Sequence, residues 1–251
     1  MTIFKPCLIL PVYNHPHYLL RLAEHIQQYD CTIIFIDDGS HAECKAILQQ
    51  IQNQYPETIV LQHEYNQGKG QAVMTGLDYA YQHGFSHALQ LDVDGQHDWQ
   101  DIDKFLKSAQ QHPQAMIIGN PIYADDVPKS RLYGRYATHI WVWINSLSFA
   151  IKDSMCGFRV YPVPACWRIL QKYTLRKRMG FDSEILVYLR WQGIDFINIP
   201  TKVIYPEDGI SHFRLWEDNI ELSKMHAQLF FGMLWRLPYL LWKKIAKGSS
   251  S

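Results

Sequence analysis

Apolar and polar positions follow two rhythms along the first hundred residues. Short, largely uninterrupted apolar runs occur at CLILPVY (7–13), CTIIFIDD (31–38), TIVLQHE (58–64) and HALQLDVD (87–94), and they read as buried strands, the second β-branched up to its aspartates. Between them lie longer segments with helical spacing: HYLLRLAEHIQQY, which lines up Leu19, Leu22, Ala23 and Ile26, then AECKAILQQIQNQY, then GQAVMTGLDYAYQHG ending at Gly84. Strands alternating with helices predict an α/β chain with a mostly parallel, doubly wound sheet flanked by helices. The C-terminal strand ends then share one rim, where open α/β sheets bind ligands.

The second half is less regular. MGFDSEILVYLRWQG predicts a helix whose Phe181, Ile185, Leu186 and Leu189 face the core, with Asp182 and Glu184 placed to suit the helix dipole. HIWVWINSLSFAI fits a buried helix or part of an apolar surface. From Lys224 to Lys247 the chain carries five Lys or Arg, no acid, and a dense set of Phe, Trp, Leu and Met. That mixture predicts an amphipathic segment lying on a membrane surface, with aromatics at headgroup level and lysines toward anionic lipid. The competing expectation is a helix packed on the main domain and broken or kinked at Pro238.

Chemistry concentrates at the predicted rim. Asp92 and Asp94 follow an apolar run one residue apart, with Gln96 beyond. Such oxygens suit Mg2+ or Mn2+, and two carboxylates leave coordination positions for water and phosphate oxygens. An isolated D-x-D is more often a turn; its neighbours change the weighing. Pro11, Tyr13 and Asn14 follow the first strand as a loop able to approach a nucleotide. Asp37 and Asp38 end the second, suited to a base or ribose, with a plain turn and helix cap as the equal alternative. In NQGKG (66–70) the glycines permit close backbone approach and Lys69 is placed to meet a phosphate. Walker spacing is absent, as is G-x-G-x-x-G after the first strand, which argues against a P-loop and a dinucleotide site.

Composition narrows the classes. The 47% hydrophobic content across 251 residues supports a full core, and 24 basic against 24 acidic residues gives no field that favours nucleic acid. Five cysteines, odd in number and without C-x-x-C spacing, predict a reducing compartment. Met1 runs almost directly into strand-like sequence, so no signal peptide is expected, and no apolar run reaches the roughly 18 residues of a membrane span.

PVYN, IDDGS, NQGKGQAVMTGL and DVDGQH occur in the order and spacing of family 2 glycosyltransferases, and the chain most resembles the branch that includes dolichyl-phosphate mannose synthase, over about residues 6–215. The resemblance implies a GT-A fold and inverting transfer from a UDP- or GDP-linked sugar, with a divalent metal bridging the donor diphosphate. It places Asp37, Asp38, Lys69 and Asp92 around the donor, and Asp92, Asp94 and Gln96 around the metal. DSMCGFRVYP resembles the acceptor-lining segment, which puts Asp153, Gly157 and Arg159 there, with Arg131 adding a cation. YPEDGISHFR matches a basic loop over the donor phosphates, with His212 and Arg214 in that role. Asp153 is the first candidate base, with Asp208 or Glu207 behind it. At Gly119, Asn120 and Pro121 the chain departs from the Gly-Ser-Arg of the mannose synthase branch.

The expected organisation is a catalytic domain over 1–215, an amphipathic membrane-associating segment over 216–247 and a tail over 248–251. The expected partners are a nucleotide sugar, a lipid-linked acceptor and the cytoplasmic face of a membrane, with a protein partner left open and no nucleic acid. Two alternatives stay in view: a transferase acting on a soluble hydroxyl, and a noncatalytic nucleotide-sugar-binding partner of a glycolipid or acyltransferase system. A nucleotidyltransferase would need a glycine-rich basic loop where PVYNHPHY stands.

Overall fold

The computed structural model describes residues 3–123, 129–203 and 214–248. Strands β1 (Pro6–Val12), β2 (Thr32–Asp37), β3 (Ile59–Gln62) and β4 (His87–Gln90) alternate with helices α1 (Pro16–Ile26), α2 (Ala42–Gln54) and α3 (Lys69–Gln82), as the two rhythms predict. Helix α4 (Ile102–Gln111), β5 (Met116–Tyr123), α5 (Lys129–Ser146), β6 (Arg159–Pro162), α6 (Val163–Lys172), α7 (Phe181–Gln192), β7 (Phe196–Val203) and α8 (Leu215–Gly248) follow. Seven strands form one sheet in the order β3-β2-β1-β4-β6-β5-β7. β1 pairs in parallel with β2 and β4, whereas β6 runs antiparallel to both β4 and β5.

Side-chain alternation builds two cores from the same strands. In β1, Cys7 and Ile9 join Ile34 and Ile36 of β2 under α3 and α7, while Leu8, Leu10 and Val12 join Ile33 and Phe35 under α1, α2 and α4. Both strands are therefore covered on each face, which is why they are apolar throughout rather than alternating. β1 and β4 stop on one rim, their outward connections both lead to the face covered by α1 and α4, and Asp92 and Asp94 follow β4 there.

Two expectations change. Helix α7 was expected to bury one stripe, yet every residue from Phe181 to Leu189 is buried, because the helix is packed between α3 and α6 on one side and α5 and α8 on the other. Asp182 and Glu184 consequently lie inside and need partners, beyond any help from the helix dipole. Helix α8 runs unbroken for 34 residues through Pro238 and is no detached appendage: Leu222, Met225, Leu229, Met233 and Leu240 enter the core beneath α7. Packing on the main domain agrees with the second expectation, the break expected at Pro238 is absent, and the opposite side, with Phe231, Trp235, Trp242 and Ile245, stays exposed.

Candidate active site at the C-terminal rim

Asp38 closes β2 and is almost fully buried. Its carboxylate accepts from the backbone N–H of Gln67 (2.9 Å) and Gly68 (2.8 Å) and from Asn66 Nδ2 (2.9 Å), with His63 Nδ1 at 2.7 Å. His63 in turn reaches Thr75 Oγ1 of α3 at 3.0 Å. Asp38 thus holds the NQGKG loop in place. Asp37 differs: Oδ1 accepts from Ser40 N at 2.9 Å, while the buried Oδ2 has no hydrogen-bond partner among the described residues. Pro11 lies within β1, paired with Ile36, and not in a loop. Asn14, in the left-handed region at φ 53°, fastens the β1 and β2 ends together, since Oδ1 accepts from His41 N at 2.8 Å and its N–H donates to Ser40 Oγ at 3.1 Å. Tyr13 beside it is half-buried.

The loop that Asp38 fixes delivers Lys69 at the N-terminus of α3. Gly68 takes φ 104°, and a Cβ there would meet Lys177 O at 2.6 Å, so no other residue fits this turn as built. Lys69 Nζ then sits 2.7 Å from Asp92 Oδ2 and 3.2 Å from Asp182 Oδ2. Burial opposes its charge, but Asp182 and Asp92 outweigh that and hold its pKa above the ordinary lysine value. Arg159 continues the row, with Nη1 3.3 Å from Asp182 Oδ1.

Asp92 and Asp94 follow β4. Burial would raise the Asp92 carboxyl, yet Lys69 holds it below its usual value, and Gln90 Nε2 donates to it at 3.2 Å. Among the described residues Asp94 receives only the Gln96 backbone N–H, at 3.0 Å, and its pKa is raised by burial and by the charge of Asp92. A pair of neighbouring carboxylates, one left short of donors and repelled by the other, is a donor set that a divalent cation fits; the half-buried Gln96 would add an oxygen. Two residues missed by sequence reading complete the setting. His97 is lowered by burial against the pull of Asp92 and Asp94, with a buried Nδ1 that lacks a partner among the described residues. His15 is likewise lowered by burial, with Asp94 and Asp92 opposing. His97 closes the DVDGQH motif without having been given a role there, and His15 lies 77 positions before Asp92, a separation that leaves no local signal.

The DSMCGFR segment folds against this pair. Gly157 is required by contact: a Cβ would come 1.9 Å from Asp92 Oδ2. Asp153 is held by Arg135 of α5, whose Nη2 lies 2.8 Å from each carboxylate oxygen, by His139 Nε2 at 3.3 Å and by the N–H groups of Met155 and Cys156 at 2.8 and 2.7 Å. Burial works against its charge, but His139 and Arg135 prevail and keep the carboxyl far below the usual range. A carboxylate so stabilised and so fully bonded is a weak base, which counts against Asp153 as proton acceptor. Arg159, expected on the acceptor side, is wholly buried: it donates to the carbonyls of Cys156, Ser154 and Asp182 and braces the segment from behind. Arg135, His139 and Asp182 were missed because their partners lie 14 to 113 positions away in sequence.

Arg214 is described and exposed at the start of α8, 3.7 Å from Glu217, and its backbone N–H donates to Asp218. Asp208, His212 and Glu207 lie outside the described residues, as does the side chain of Arg131, whose backbone belongs to α5.

The doubly wound half, the antiparallel β6 and the acid pair on the rim define a GT-A glycosyltransferase fold. The family model for glycosyl transferase family 2 matches residues 7–177, and the chain belongs to that family and is a glycosyltransferase. It is 26% identical over 217 residues to the UDP-N-acetylglucosamine–dolichyl-phosphate N-acetylglucosaminyltransferase of Methanococcus voltae, covering 80% of this chain and 86% of that one. It is 21% identical over 224 residues to the polyprenol monophosphomannose synthase of Mycolicibacterium smegmatis, covering 82% and 80%. Among solved structures, glucosyl-3-phosphoglycerate synthase from Mycobacterium tuberculosis, in complex with Mn2+ and UDP-glucose, superposes with a TM-score of 0.60 at 14% identity, over 92% of this chain and 78% of that one.

Proposed function

We propose that this enzyme moves a sugar, with inversion, from a nucleotide-diphosphate donor to a lipid-linked phosphate acceptor at a membrane surface. The observation that carries the reading is the Asp92–Asp94 pair: two half-buried carboxylates side by side, the second with its pKa raised, on the ligand-binding rim of a glycosyltransferase sheet. Asp92, Asp94 and Gln96 would hold Mg2+ or Mn2+, which when bound takes up charge on the donor's phosphate oxygens. Asp37 keeps an oxygen for a nucleoside donor group. Lys69 neutralises Asp92 and Asp182 together, and the Asp38 hub keeps that lysine in place.

The acceptor follows from basicity. A hydroxyl must lose a proton as it attacks, whereas a phosphate monoester oxygen is ionised at neutral pH and needs no base. Asp153, the nearest candidate base, is held as a weak one by Arg135 and His139, which favours the phosphate. The dolichyl-phosphate and polyprenol activities named for the relatives agree with that choice. Among the described residues no helix is long and apolar enough to cross a membrane. Phe231, Trp235, Pro238, Trp242 and Ile245 recur at three- and four-residue spacing along the exposed side of α8, and Tyr136, Ile140 and Trp141 extend the apolar surface on α5. Such a surface suits interfacial seating beside a lipid substrate.

Calorimetry with UDP and GDP, each with and without Mn2+, tests the donor site. Metal-dependent binding of one nucleotide, abolished by Asp94→Asn, is expected; absence of binding to the wild-type chain would overturn the reading. Transfer from the matching nucleotide sugar to a polyprenyl phosphate, stopped by chelation, then tests the acceptor.

A further inference from the structure

Away from the rim, α7, α8 and the C-terminal end of α6 line a cleft of about 370 Å³. Tyr173, Tyr188 and Trp191 form its floor, with Tyr173 stacked on Tyr188 at 4.1 Å and Tyr188 edge-on to Trp191 at 5.2 Å. Trp235 and Tyr239 of α8 form the outer wall.

The two charged residues that line it, Lys172 and Arg236, are basic, and Lys243 lies next to them. Arg236 lies over Trp191 at 4.6 Å, donates Nη1 to Gly232 O at 2.9 Å and reaches Tyr173 Oη at 3.4 Å. A guanidinium carries five donors, so most of this fork is uncommitted. Lys172 stands 5.4 Å from the Tyr173 ring, and Lys243 lies 5.0 Å from the Tyr239 ring with Nζ donating to Gln192 O. Among the described residues no carboxylate pairs with any of the three, although Asp or Glu partners occupy most of the other buried or half-buried arginines.

We propose that this cleft binds the phosphodiester headgroup of an anionic membrane phospholipid, separately from the acceptor site. The inference rests on the reading that the exposed side of α8 lies at the membrane. On the helix, Arg236, Tyr239 and Lys243 form the flank of the stripe Phe231–Trp235–Trp242, so a bilayer seated on that stripe brings its headgroup layer level with the cleft mouth. Tyr and Trp favour that layer, and an aromatic-backed guanidinium presents a planar fork to phosphate oxygens. The site would set the rotation of α8 about its own axis on the bilayer, and through the α7 packing it would fix which side of the enzyme meets the lipid.

The test is co-sedimentation of the full chain with vesicles of phosphatidylcholine alone and of phosphatidylcholine containing about one third phosphatidylglycerol, for the wild type, Arg236→Gln, Lys172→Gln and Lys224→Gln. Lys224 is exposed on the same helix outside the cleft and controls for bulk charge. A lysine merely near an anionic surface contributes about fivefold in partitioning. The proposal expects Arg236→Gln and Lys172→Gln each to lose roughly tenfold or more on anionic vesicles, beyond the loss in Lys224→Gln, with little change on neutral ones. Losses equal to that of Lys224→Gln would overturn the cleft while leaving membrane seating intact. Wild-type protein that stays off both vesicle types would overturn the membrane reading and this proposal with it. Arg236 packs on Trp191, so thermal midpoints accompany the series, and Lys172→Gln, at an exposed position, decides the matter if Arg236→Gln unfolds.

Discussion

At the end of β2, Asp38 has donors from His63, Asn66, Gln67 and Gly68 around one carboxylate; beyond β4, Asp94 has, among the described residues, a single backbone donor and a second carboxylate beside it. The two residues occupy equivalent places, each the last acid of a pair closing a central parallel strand on the same rim. One has become architecture and the other has been left electrostatically unsatisfied. Enzymes keep such uncompensated groups where a ligand supplies the missing charge, and the cost is tolerated because the surrounding strands are held by two full cores. The contrast identifies the working end of the rim without any bound ligand.

Substitution at Asp94 gives the largest expected effect. Asp94→Asn should lower sugar transfer by about a thousandfold or more, and thermal unfolding should occur at the same temperature or slightly higher, since a repelled buried charge is gone. A clear drop in thermal midpoint would mean that Asp94, like Asp38, is structural. The mirror experiment is Asp38→Ala, which leaves buried donors unpaired and should cost about 3 kcal/mol or more in stability, measured by urea denaturation. Loss of activity without loss of stability there would erase the contrast.

Gly157→Ala sharpens the comparison from the other side of the acid pair. The added methyl must displace Asp92, and a misplacement of about 1 Å typically costs on the order of a hundredfold in turnover. Lys69→Met has the smallest expected effect at neutral pH and the clearest pH signature. Without the lysine, burial pushes the Asp92 carboxyl upward, so the proton that inactivates the pair is taken up at higher pH. The acid limb of the pH–rate profile should therefore move up by roughly 1 unit or more. An unmoved limb would separate Asp92 from the titration. Asp153 gives the contrasting sign: its carboxyl is depressed, so the stability of the Arg135–Asp153 pair is present above the ordinary carboxylate value and is lost only as pH falls well below it.

Much of this was legible in order and period. The apolar runs and helical spacing located β1 through β4 and α1 through α3, because burial on both faces of a parallel strand and on one stripe of a helix leaves a local record. The acids at 37–38 and 92–94 were visible for the same reason: polar residues that end an apolar run mark where a strand reaches solvent. The family motifs added their roles as a set. Helix α7 was placed correctly but its surroundings were not, since a helix enclosed on all sides and one buried along a stripe share the same period. Arg159 and Asp153 were read as acceptor-side candidates because sequence shows side-chain type but not depth.

What the chain determined alone is therefore the alternation of β1 through β4 with α1 through α3, the mostly parallel character of the sheet and the acids that follow its strands, all read from patterns within a few positions. What only the tertiary structure decided is which charges cancel. Asp38 is satisfied by a loop 25 to 30 positions on, Lys69 by Asp182 from another helix, and Asp153 by Arg135 and His139 of α5, while among the described residues Asp94 receives no such partner. Electrostatic pairing acts across space at distances of a few ångströms and leaves no period in the sequence. The same holds for α8, whose aromatic residues look alike in order and are divided by packing into a face inside the core and a face turned outward.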